Sequence, residues 1–198
     1  MREPYLSLGR CVYLEWLIPI ADYYTVLYSV KKQFILECLI PVVISICLTF
    51  FLHIEGSTYS MLNKMSGFLP SCLSILIGFS IMLITILLTA QGEQVDRLHK
   101  MHLTSGVKIR GKQVSLYRAL HIQFTHSVYS EIFLLIIMIF VLLCELFTFY
   151  CSVLCDVVNF VILLISIYYA LNILLTLISA ITNIYFTFYS IQSVEVDK

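Results

Sequence analysis

The chain has 198 residues, of which 60% are hydrophobic and 12% charged, and its formal net charge is zero. Globular averages are about 45–50% apolar and about 25% charged, so this composition excludes a soluble domain and indicates an integral membrane protein. A balanced charge provides no global basic field for nucleic acid, and any electrostatic role must be local.

The chain reads as an all-α membrane protein with four transmembrane helices. Residues 1–33 mix Trp16 and several tyrosines, Tyr23 among them, with Glu15 and Asp22. That content suits the headgroup level, so the segment is expected to be interfacial and broken at Pro19. Reading residues 11–30 as a fifth span would bury two acids and a proline. No cleavable signal peptide is expected, because the first apolar run has no small-residue cleavage site.

Residues 34–90 form the first transmembrane hairpin. Its first span, 34–52, carries Glu37 one turn in and Pro41 as a kink. Residues 53–69 read as a polar loop, and Pro70 stands at a helix-start position for a span ending at Ala90. Residues 91–129 are polar and basic, with Gly106 and Gly111 as turn residues and an apolar–basic alternation over 107–114 that predicts a short hairpin or strand. From 115 to 150 the chain lacks Gly and Pro, so the third helix should begin outside the lipid. A short turn at 151–155 then makes the last two helices antiparallel neighbours.

Residues 130–191 form the second transmembrane hairpin, with a cytoplasmic overhang, and 192–198 are a polar tail. The last apolar stretch runs past thirty residues, whereas about 20 suffice to cross a bilayer core of roughly 30 Å. Its excess should tilt the helix or leave the lipid. Lys and Arg concentrate in the first tail and the middle loop, which places both termini and that loop in the cytoplasm.

Two polar stripes are candidate oligomer interfaces. In the second span Ser71, Ser74, Gly78, Thr85 and Thr89 share one helical face, with Ser74 and Gly78 in a small-xxx-small pattern. In the last helix Asn172, Thr176, Ser179, Asn183 and Ser190 share another. Neither stripe is expected to find enough partners within one chain.

Three acids lie in or near spans. Glu37 and Glu131 are expected to reach the interface, whereas Glu145, near the external end, would form a cation-favouring carboxylate ring in a symmetric assembly or snorkel to the headgroups. Arg97, Lys100, Lys108, Arg110, Lys112 and Arg118 form a basic strip suited to anionic lipid or an acidic partner.

Seven cysteines include no CxxC pair, and Cys151 and Cys155 could be bridged or free in their external loop. The histidine pairs at 99 and 102 and at 121 and 126 lack supporting ligands and read as ordinary polar residues. No nucleophile is paired with a base, and no phosphate-binding loop occurs. Neither an enzyme, a cofactor nor a metal site is expected.

Four spans with both ends inside, a basic loop from Arg97 to Arg118 and a long helical pair over 115–150 and 156–189 resemble the membrane subunits of bacterial anti-phage systems, most nearly the KwaA subunits of Kiwa. The resemblance implies a homotetramer in the bacterial inner membrane, activated by infection and partnered by a cytosolic DNA-binding protein, KwaB. No direct nucleic-acid contact is expected of a soluble portion this small. The expected function is an oligomeric sensor or scaffold that couples membrane events to that partner. The alternative is a pore-forming effector that depolarises the membrane, similar to the channel subunit of the Hailong system.

Overall fold

The structure, a computed structural model, describes residues 18–29, 31–89, 93–101, 108–109, 111–146 and 152–196. Among them, four helices are long and apolar enough to cross a bilayer: Ile35–Ile54, Thr58–Thr89, Leu116–Cys144 and Asp156–Tyr185. The protein is an all-α, multi-pass membrane protein.

In chain order the helices are α1 (Ile18–Ser29), α2 (Lys31–Phe34), a π-helical turn (Ile35–Leu39), α3 (Ile40–Ile54), α4 (Thr58–Thr89) and α5 (Glu93–Lys100). An antiparallel pair follows, β1 (Lys108–Ile109) and β2 (Lys112–Gln113), and then α6 (Leu116–Leu146) and α7 (Ser152–Val196). Within the alternating segment, 108–109 and 112–113 thus pair as the short hairpin its pattern predicts, with Gly111 at φ of 79°. Glycine suits that left-handed conformation because it has no Cβ to clash.

Helix α6 packs between α4 and α7, and α3 lies against α7. Their shared core contains Leu73, Phe124, Leu134, Met138, Leu163 and Ile173. Most other apolar side chains on these helices face outward, as a lipid solvent permits. A second core sits at the N-terminal end of α6, where Tyr23, Val26 and Leu27 of α1 meet Ile109, Val114 and Ala119. The N-terminal segment is therefore more than an interfacial strip. The first tyrosine of its Tyr23–Tyr24 pair is buried inside the protein.

The loop expected at 53–69 is largely helix, since α4 begins at Thr58 and carries Pro70 inside it. Leu62, Met65 and Leu69 reach the core at helical spacing, and this apolar face outweighs the polar Asn63, Lys64 and Ser66. Gly56, with φ of 66°, makes the turn between α3 and α4. The uninterrupted start of the third span is present as α6, and α7 is one helix of 45 residues. At ~1.5 Å per residue, α7 is about twice as long as a bilayer core is thick.

Candidate functional site

Pro41 fixes the local geometry around Glu37. In an α-helix the N–H of residue 41 would serve the carbonyl of residue 37, and proline has no N–H. The chain widens there into the π-helical turn, where the Ile40 N–H donates to the Ile35 carbonyl. The Glu37 carbonyl accepts from Asn172 Nδ2 of α7 at 2.6 Å.

The Glu37 side chain is fully enclosed. Its Oε2 accepts from the Tyr23 hydroxyl of α1 at 2.6 Å. Its Oε1 accepts from Gln33 Nε2 at 2.8 Å and from Gln123 Nε2 of α6 at 3.4 Å. Both amides also reach Ser179 Oγ of α7, each at 3.5 Å. Tyr23 Oη lies 3.3 Å from Thr176 Oγ1. Burial, reinforced by the adjacent Glu37, holds the Tyr23 phenol far above its ordinary range, so it remains a donor. Its ring stacks on His126 of α6, with centroids 3.6 Å apart and planes 10° apart.

This corrects two expectations. Glu37 does not reach the interface, because Tyr23, Gln33, Gln123 and α7 enclose it. The α7 stripe does find partners within one chain: Asn172 and Thr176 are buried on this cluster, and Ser179 is half-buried against it. Asn183 is half-buried, and the side chain of Ser190 lies outside the described residues.

Glu131, also expected at the interface, is fully buried between α4 and α6. Its Oε1 accepts from Ser80 Oγ and Ser127 Oγ, both at 2.9 Å, while its Oε2 has no hydrogen-bond partner among the described residues. His126 likewise belongs to the interior and is not a surface polar residue.

The α4 stripe has the opposite placement. Ser71, Ser74, Gly78, Thr85 and Thr89 are all exposed. Ser74, Thr85 and Thr89 donate to carbonyls of their own helix, four residues back. Thr58, Ser66 and Ser80 are the buried hydroxyls of that helix among the described residues, and Ser80 is the one that reaches Glu131.

In the basic strip Lys100, Lys108 and Lys112 are exposed, and Ile109 of β1 anchors the hairpin in the second core. Arg118 pairs with Asp22 of α1 at 3.8 Å. The side chains of Arg97, Arg110, Glu145, Cys151 and Cys155 lie outside the described residues. Among the described residues there is no group of three or more His, Cys, Asp or Glu side chains able to hold a metal ion.

Sequence reasoning flagged Glu37 but missed Gln33, Gln123, Ser80 and Ser127 as its partners and those of Glu131. One local signal was available. An acid four residues before a proline places an ionisable side chain and a carbonyl in need of a donor at the same position. Comparisons with protein-family models, curated proteins and solved structures find no match.

Proposed function

We propose that the chain is a membrane sensor or scaffold subunit that couples events in the bilayer to a cytosolic partner. The observation that carries this reading is the bonding of one acid at the entrance of a span. Glu37 holds α1, which lies outside the spans, to α6 and to the 45-residue α7. A displacement of α7 would break bonds at Asn172 and Ser179 and so release the support beneath Tyr23. The cluster is thus a mechanical link between the spans and the α1–hairpin end.

In this reading the Lys and Arg distribution orients the α1–hairpin end towards the cytoplasm, and the membrane is a bacterial inner membrane. Lys100, Lys108 and Lys112 would meet anionic lipid or an acidic patch of the partner. The resemblance to KwaA-type subunits supplies the setting, a homotetramer in anti-phage defence with a KwaB-like DNA-binding protein.

The test is co-expression with a candidate cytosolic DNA-binding protein of the KwaB kind, followed by affinity purification. The wild-type chain should retain the partner, and the K108E/K112E double substitution should lose most of it. No retention by the wild-type chain counts against the scaffold role. The exposed hydroxyl stripe of α4 favours a second reading, a pore lined by α4 in an oligomer. Ion flux through reconstituted vesicles tests it, and its absence removes the pore.

A further inference from the structure

Glu37 Oε1, Gln33 Nε2, Ser179 Oγ and Gln123 Nε2 follow one another around a closed ring, with edges of 2.8, 3.5, 3.5 and 3.4 Å. Three of these edges exceed the ~2.7–3.2 Å of a good N–H···O bond, so the ring is wider than amide donors require. A carboxamide presents an oxygen and a nitrogen of similar shape, and a half-turn exchanges them in place. After that turn at Gln33 and Gln123, four oxygens would surround one centre.

We propose that Gln33, Glu37, Gln123 and Ser179 form a binding site for a monovalent cation of Na⁺ size. Edges of this length, in a ring with near-equal diagonals that lies flat or folds towards a tetrahedron, allow a centre roughly 2.0–2.5 Å from each corner. That range overlaps the ~2.3–2.6 Å at which oxygen ligands hold a cation the size of Ca²⁺, whose radius Na⁺ shares. K⁺, with longer bonds to oxygen, would have to spread the ring.

Charge selects between Na⁺ and Ca²⁺. The ring has one carboxylate and three neutral groups, and no cationic side chain among the described residues bonds to Glu37. One positive charge neutralises the site, whereas two would leave a net charge in a low-dielectric interior. Access is also provided for, because Gln33 and Ser179 are half-buried while Glu37 and Gln123 are enclosed. An ion would enter past the first pair and be held by the second. Tyr23 keeps its bond to the other carboxylate oxygen throughout.

The site lies inside the coupling cluster, and only its consequence for signalling rests on that reading. The test is thermal unfolding of the full chain in detergent at constant ionic strength, exchanging choline chloride for NaCl or KCl. NaCl should raise Tm saturably, KCl much less, and Glu37→Gln should abolish the response. Should that variant fail to fold, Ser179→Ala keeps the test: with its own Tm in choline as the baseline, the half-saturating Na⁺ concentration rises roughly ten- to a hundredfold, as for loss of a ligand or its support. Equal Tm in Na⁺ and choline overturns the proposal, as does a Na⁺ response unchanged in Ser179→Ala, or a stabilisation that follows pH instead of Na⁺. Partner retention is read separately, so a missing Na⁺ response leaves the scaffold reading standing, and lost retention leaves the ion site standing.

Discussion

The two polar stripes, one on α4 and one on α7, have the same helical periodicity and opposite fates. Asn172, Thr176 and Ser179 turn inward onto Glu37, while Ser71, Ser74, Gly78, Thr85 and Thr89 face outward. Spacing alone does not decide this. An acid and a proline four residues apart create a demand for donors, and α7 has amide and hydroxyl groups long enough to reach across to it. Ser74, Thr85 and Thr89 of α4 answer their own helix carbonyls, which lets them face lipid or another helix without an unmet bond.

Glu37→Leu should break the inward cluster most severely. It removes the acceptor nearest the Tyr23 hydroxyl and the Gln33 and Gln123 amides at once, leaving them only the longer contacts to Thr176 and Ser179, and a buried donor left unsatisfied costs ~1–3 kcal/mol. We expect a loss of about 3 kcal/mol or more, visible as a lowered Tm in detergent together with faster proteolytic cleavage around α1. Cleavage unchanged at α1 would show that Glu37 does not hold that helix. Asn172→Leu removes one donor from the Glu37 carbonyl and should cost ~1–3 kcal/mol by the same measurement.

A matched pair on one helix sharpens the contrast further. Ser80→Ala removes one of two donors to Glu131, a buried acid whose other oxygen has no partner among the described residues, and should cost about 1 kcal/mol. Ser74→Ala removes a hydroxyl bonded only to its own helix, and a change below about 0.5 kcal/mol is expected. Equal effects from the two serines would mean that inward and outward placement does not govern stability in α4.

The architecture was legible because apolar length is a local property. Four spans, the early start of α6, the excess length of α7 and the hairpin at 107–114 all follow from runs and breaks in the chain. The start of α4 was misread because Asn63, Lys64 and Ser66 look like loop residues unless the spacing of Leu62, Met65 and Leu69 is weighed against them. The partners of Glu37 were not legible for a different reason. Tyr23, Gln123 and Asn172 come from separate helices, and only packing brings them to one point. Position along the span suggested that Glu37 and Glu131 would escape to the headgroups. Enclosure by neighbouring helices, which no window of hydropathy registers, holds both acids inside.

The outward stripe yields the smallest expected change within the chain and the most specific one outside it. A Cβ built at Gly78 meets nothing within 4 Å, and its helix neighbours Ser74 and Thr85 are exposed with it. Gly78→Leu therefore adds bulk to open space, and glycine-to-leucine in a helix interior gains propensity, so the isolated fold should keep or slightly raise its Tm. A second copy approaching on this face would lose the close backbone contact that small residues permit. Mass measurement in detergent should then show a smaller assembly for Gly78→Leu at undiminished Tm. If the mass is unchanged, the stripe is lipid-facing and the assembly, if one forms, uses another surface. If the mass falls and Tm falls with it, folding and assembly are one event, and the division between an inward stripe that stabilises and an outward one that associates no longer holds.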